Sequence, residues 1–217
     1  MISKRLIIAL DTDDFNLVKK LIAFFDPKLC LMKVGLQLYI AHGKEVLDYL
    51  SEQGFEIFLD LKLHDIPNTV AKSIKEIQKF NIKMTTIHSQ GGVEMINAAL
   101  DQSNDIKILA VSLLTSLDKQ DVSRLYDNDF EKQFEMLLKV ITDTKTHGIV
   151  CSSHELVKIS GNNLIKVVPG IRNVDVSDDQ KRIMSSKAAY ENGADFIVVG
   201  RPIINSENPS EEYKKYL

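Results

Sequence analysis

Short apolar runs rich in Val, Ile and Leu recur along the chain. They fall at residues 5–11 (RLIIALD), 29–36 (LCLMKVGL), 55–63 (FEIFLDLKL), 84–89 (MTTIHS), 106–114 (IKILAVSLL), 147–153 (HGIVCSS), 165–171 (IKVVPGI) and 195–203 (DFIVVGRPI). They are continuous rather than alternating, as expected for strands of a parallel sheet covered on both faces. Helical patterns separate them. DDFNLVKKLIAFF offers Asp13 or Asp14 as N-cap and aligns Leu17, Val18, Leu21 and Ile22 on one face. PNTVAKSIKEIQKF places Pro67 near a helix start and Val70, Ile74 and Ile77 on one face. GVEMINAALDQ and DFEKQFEMLLKVITDTKTH follow the same logic. Eight strands alternating with helices predict an α/β chain closed as a (β/α)8 TIM barrel, one domain over residues 1–217. A doubly wound open sheet would want a glycine fingerprint after its first strand, and ALDTDD contains no glycine. The chain is short for a barrel, which predicts trimmed peripheral helices.

Composition narrows the function. The net charge of −3 provides no broad basic field for nucleic acid or an anionic membrane, although local cations could still hold a small phosphate. Cys30 and Cys151, far apart in apolar runs, read as reduced buried thiols rather than a disulfide or a zinc site. MISKRLIIALDTDD is no signal peptide, and no apolar run is long enough to span a bilayer. The expectation is a soluble cytoplasmic protein.

Barrel enzymes carry their chemistry at the C-terminal ends of the strands. The polar residues there are Asp11, Lys33, Asp60 with Lys62, His88, Ser112 and Thr115, Ser152 and Ser153, Arg172, and Gly200 with Arg201. Taken singly, each has a plain structural reading. Asp11 or Asp13 could cap a helix, Lys33 could reach the rim, and His88 reads as a hydrogen-bonded structural histidine. Jointly they read differently. Lys33, Asp60, Lys62 and Asp65 gather two cations and two carboxylates on one strand and its neighbour, and alternation points 60 and 62 to the same face. Inside a barrel, apolar residues would stabilise as well as an ion pair, so such a cluster marks a site. VPGIR and FIVVGRPI end the seventh and eighth strands, where this fold binds phosphate. Gly170 and Gly200 would let backbone N–H groups approach an anion, and Arg201 offers a bidentate fork.

The stretch DLKLHDIPNT, Asp60 to Thr69, carries the motif Asp-x-Lys-x-x-Asp-Ile-Pro-Asn-Thr, and with it the chain resembles the orotidine 5′-phosphate decarboxylase family. The likeness runs end to end, through ALD at Asp11, KVG at Lys33, LLTS at Thr115, VPGIR at Arg172, DDQKR at Gln180 and VVGRPI at Arg201. The resemblance implies cofactor-independent decarboxylation of orotidine 5′-phosphate to UMP in pyrimidine biosynthesis. It implies that Asp11 and Lys33 hold the ribose, that Asp60 lies beside the substrate carboxylate, and that Lys62 protonates C6. Asp65, Ile66 and Thr69 would reach the partner subunit's site in a homodimer. Thr115 would meet the pyrimidine edge, and Arg172, Gln180, Gly200 and Arg201 would surround the phosphate. One departure stands out, since Asn173 occupies a position where the family commonly has proline. Losing CO2 from C6 leaves a carbanion poorly delocalised by the ring, and the sequence shows no metal, Schiff base or pyridoxal group to absorb it. An ammonium at C6 would stabilise and protonate it, and flanking carboxylates favour its charged form. The rivals are a metal-dependent phosphosugar decarboxylase or aldolase, and a barrel that binds a nucleotide without catalysis.

Overall fold

The computed structural model describes residues 5–159, 161, 163–173 and 184–217. All eight expected strands form: β1 (Leu6–Ala9), β2 (Cys30–Gly35), β3 (Ile57–Leu63), β4 (Ile82–His88), β5 (Lys107–Val111), β6 (Gly148–Val150), β7 (Ile165–Val168) and β8 (Phe196–Val199). They pair in chain order, all parallel, and β8 closes on β1 with Leu6 opposite Ile197. The fold is a (β/α)8 TIM barrel. Several strands stop short of the apolar run that announced them, the last residues of the run passing into the loop that follows the strand.

The helices are α1 (Phe15–Ile22), α2 (Leu36–His42), α3 (Lys44–Glu52), α4 (Pro67–Ile77), α5 (Gly92–Leu100), α6 (Lys119–Tyr126), α7 (Phe130–Asp143), α8 (Ser186–Glu191), α9 (Arg201–Ile204) and α10 (Pro209–Glu212). Asp14 caps α1, accepting from the backbone N–H groups of Asn16 and Leu17, which leaves Asp11 to other work. Val18, Leu21 and Ile22 turn inward as their spacing predicts. Pro67 opens α4, where its missing N–H costs nothing, and Val70, Ile74 and Ile77 bury one face. Gly43 breaks the crossover after β2 into α2 and α3. Among the described residues the crossover from β6 to β7 has only a 3-10 turn, Leu156–Ile159, and α9 and α10 span four residues each. The shortening falls on the periphery. No described helix is long and apolar enough to cross a membrane.

Strand alternation sorts the core into two layers. Outward residues such as Leu6, Ile8, Met32 and Val34 pack with the helices, while Ile7, Ala9, Leu31, Phe58, Met84, Leu109, Val167 and Val198 plug the barrel interior. Phe58, fully buried, is the largest side chain of that plug and forms part of the cavity wall above it. Phe58→Ala should cost about 3–5 kcal/mol, because the closed barrel cannot collapse onto the void. Urea unfolding monitored by circular dichroism checks this.

Candidate active site

Above the plug, the next inward position on three consecutive strands is charged. In the ladders Lys33 lies opposite Ala9 on β1 and Phe58 on β3, so its side chain rises between Asp11 and Asp60, two residues further along each neighbour. Lys33 Nζ is 2.9 Å from Asp11 Oδ1 and 3.8 Å from Asp60 Oδ2. Lys62 Nζ then lies 2.9 Å from both carboxylate oxygens of Asp60. The result is an alternating row, Asp11–Lys33–Asp60–Lys62, graded from a half-exposed Asp11 to a nearly buried Lys33 and Asp60. Burial alone would push the Asp60 carboxyl up. Lys62 and Lys33, with hydrogen bonds from Lys62 and Thr86, outweigh it and hold the group below the ordinary aspartate value. Gly35, for which the sequence suggested no role, leaves room for this row, since a Cβ there would lie 3.0 Å from Lys33 Nζ.

The pairing of Asp60 with Lys62 is the one expected, but regular alternation does not produce it. Between β3 and β4 the register steps from Leu59 opposite Thr85 to Leu63 opposite Ile87, four residues against two. Lys62 sits on this bulge in the left-handed region, at φ 51°, which side chains with a Cβ seldom adopt. Two threonines of β4 hold the distortion. Thr85 Oγ1 donates to Leu59 O at 2.8 Å, while Thr86 Oγ1 accepts from the Lys62 N–H and donates to Asp60 Oδ1, both at 2.9 Å. Thr86 escaped the sequence reading. The only signal was a hydroxyl at an inward position of a strand, two residues before His88.

The charged row flanks a cavity of about 200 Å³. The rest of its wall comes from the ends of β5, β7 and β8 and includes Thr115, Gly170, Arg172, Gly200 and Arg201. The structure therefore brings together nine of the expected residues: Asp11, Lys33, Asp60, Lys62, Thr115, Gly170, Arg172, Gly200 and Arg201. Gly170 has φ 76°, and at Gly200 a Cβ would crowd Asp11 Oδ2 at 3.2 Å and Ala9 Cβ at 3.3 Å. The charged row and the cationic corner thus abut at Asp11. Asn173, the departure from the family pattern, accepts from the Ser186 N–H and hydroxyl at 2.9 and 3.0 Å and donates to Lys215 O. It ties the residue after Arg172 to α8 and the C-terminal turn, a role proline could not fill. Gln180 lies outside the described residues. Asp65, Ile66 and Thr69 are exposed and stand away from this chain's own cavity, and Asp65 Oδ1 accepts from the Ile66 N–H at 2.7 Å.

His88 departs from its expected hydrogen-bonded state. Its Nδ1 is buried with no hydrogen-bond partner among the described residues, and its ring packs 5.4 Å from that of His64. Desolvation, helped by His64 and Lys62, lowers its pKa below the ordinary 6.5, and burial does the same for His147. A lowered folded-state value means that the unfolded chain binds protons first. These histidines therefore destabilise the fold as pH falls below about 6.5, and their penalty vanishes above it. Melting temperature should drop from pH 7 to pH 5, and His88→Gln should reduce the drop.

The sequence model described as the orotidine 5′-phosphate decarboxylase / HUMPS family matches residues 4–216. The chain belongs to this family. A protein of Ehrlichia canis named orotidine 5′-phosphate decarboxylase is 42% identical over 210 residues, covering 94% of this chain and 92% of its own. One of the same name from Malacoplasma penetrans is 38% identical over 223 residues, covering 98% and 96%. The crystal structure of orotidine 5′-phosphate decarboxylase from Lactobacillus acidophilus matches over 99% of both chains, with a TM-score of 0.85 and 35% identity. Family membership thus agrees with the resemblance carried by Asp60 to Thr69.

Proposed function

We propose that this protein is an orotidine 5′-phosphate decarboxylase that converts its substrate to UMP, the step its named relatives share. The observation that carries the reading is the alternating row Asp11–Lys33–Asp60–Lys62 facing a cationic corner across one small cavity. Arg172, Arg201 and the backbone at Gly200 take the phosphate, with Gln180 joining them. Asp11 and Lys33 hold the ribose hydroxyls, and Thr115 meets the pyrimidine edge. This places the C6 carboxylate against Asp60, where two anions repel as the substrate settles; loss of CO2 relieves the repulsion. The carbanion that forms is met by the Lys62 ammonium, which stabilises it and delivers a proton to C6. The ammonium of Lys33 stands between Asp11 and Asp60, where a divalent cation would otherwise bridge those carboxylates, and this favours the metal-free branch of the chemistry. Recombinant protein should consume orotidine 5′-phosphate in an ultraviolet absorbance assay, with a rate unchanged by EDTA. No turnover would refute the reading, and loss of activity in EDTA would favour the metal-dependent rival.

The active site is shared between two subunits. Asp65, Ile66 and Thr69 are exposed and do not line their own cavity, and exposed apolar residues occur on three of the neighbouring segments: Leu36 and Ile40 on α2, Ile66 before α4, and Val93 on α5. Such a face suits a second copy of the chain. Asp65 then completes the row from across the interface, next to the partner's Lys62 position. Lys62→Ala and Asp65→Ala homodimers should each be inactive, while co-expression should restore about a quarter of wild-type activity, since random pairing makes half the dimers hybrids with one intact site. Failure to complement would place Asp65 in its own subunit's site.

A further inference from the structure

We propose that Thr86 is a positioning residue of the decarboxylation, fixing where the Lys62 ammonium stands. The proposal deepens the reading of Lys62 as proton donor and rests on it. Lys62 occupies a backbone conformation that its residue type disfavours, on a bulge where the β3–β4 ladder is interrupted. At the bulge its N–H has lost a regular ladder partner. The Thr86 hydroxyl replaces that partner, and the same hydroxyl donates a hydrogen bond to Asp60 Oδ1. One side-chain oxygen therefore fixes both the backbone root of Lys62 and the carboxylate that holds its tip. Thr86 is fully buried, so water cannot readily substitute for its hydroxyl. Moving a reacting group by an ångström costs rate far more than it costs binding at a distant part of the ligand.

Thr85 supplies the internal control. It is equally buried and its hydroxyl also bonds to β3 at the start of the bulge, but on the outward side, to Leu59 O, with no hydrogen bond to Lys62 or to the Asp60 carboxylate. A role confined to holding the bulge together would make the two threonines equivalent. A role in placing the ammonium would separate them.

The test compares Thr86→Val, Thr86→Ser and Thr85→Val with the wild type, in steady-state kinetics on orotidine 5′-phosphate and in UMP affinity by titration calorimetry. Thr86→Val keeps the shape and removes the hydroxyl. It should lower kcat about tenfold or more while UMP affinity stays within about twofold, and Thr86→Ser should recover kcat to within about threefold of wild type. Thr85→Val should lower the melting temperature and keep kcat within about threefold. Unchanged kcat in Thr86→Val overturns the proposal, as does a parallel loss of kcat and UMP affinity, or equal kcat losses in the two valine variants. If Thr86→Val does not fold, Thr86→Ala gives the same readout. The underlying reading of Lys62 is judged separately, by Lys62→Ala, and fails only if that variant still turns over.

Discussion

Lys62→Ala should abolish decarboxylation, lowering kcat by about 10⁴-fold or more, while UMP still binds. The two parts have separate physical origins. A positioned general acid contributes roughly 10²–10⁴ in rate, and a fixed charge beside a developing anion about as much again. Both contributions come from the same ammonium, so alanine removes them together. Under the proposed function, binding is anchored elsewhere in the cavity, at Arg172 and Arg201, which the substitution does not touch. The loss also changes Asp60. With only Lys33, at 3.8 Å, and the Thr86 hydroxyl left to stabilise its charge, the carboxyl should take up a proton more readily than in the wild type. A calorimetric titration with UMP and a single-turnover assay separate the two effects. Retained turnover would remove Lys62 as the acid.

Arg201→Ala should weaken UMP binding by about 10²-fold, equivalent to the loss of one or two charge-assisted hydrogen bonds at roughly 1.5–3 kcal/mol each. The fall in kcat/KM should be at least as large. In the proposed arrangement the phosphate is remote from C6 and its binding energy holds the carboxylate against Asp60, so losing the anchor also loses part of the means of enforcing that contact. Arg201→Lys should recover only part of the affinity, because a point charge cannot reproduce a planar fork. An unchanged UMP affinity in Arg201→Ala would move the phosphate elsewhere.

The parts of this site that were legible in the sequence are those that depend on type and periodicity. Eight apolar runs gave the barrel, and the polar residue closing each run marked its mouth; Asp11, Lys33 and Asp60 then follow from alternation and parallel register. Lys62 came out paired for a different reason from the one its spacing suggested. A bulge replaces regular alternation there, and nothing in LDLKL announces it, because the distortion is set by what β4 offers across the ladder. Thr86 was hidden for the same reason. A threonine within a strand is ordinary, and its part shows only once the partner strand's register is known. Asp14 rather than Asp13 as the cap of α1, the break at Gly43, and the bond from Asn173 to Lys215 O likewise depend on geometry that local patterns do not encode.

The closure of β8 on β1 bears on how the protein is made. Leu6 and Ile197 are partners in the ladder although almost the whole chain separates them, and the turn that receives the Asn173 bond lies later still, at Tyr213–Tyr216. As a chain grows on the ribosome, β1 emerges first and must wait, one edge unpaired, until the last strand is synthesised. Through that interval the nascent sheet is an open template for other strands. Closure, and with it the meeting of Asp11 with the Gly200–Arg201 corner, therefore comes late in folding, and catalytic competence should appear only after β8 has been synthesised.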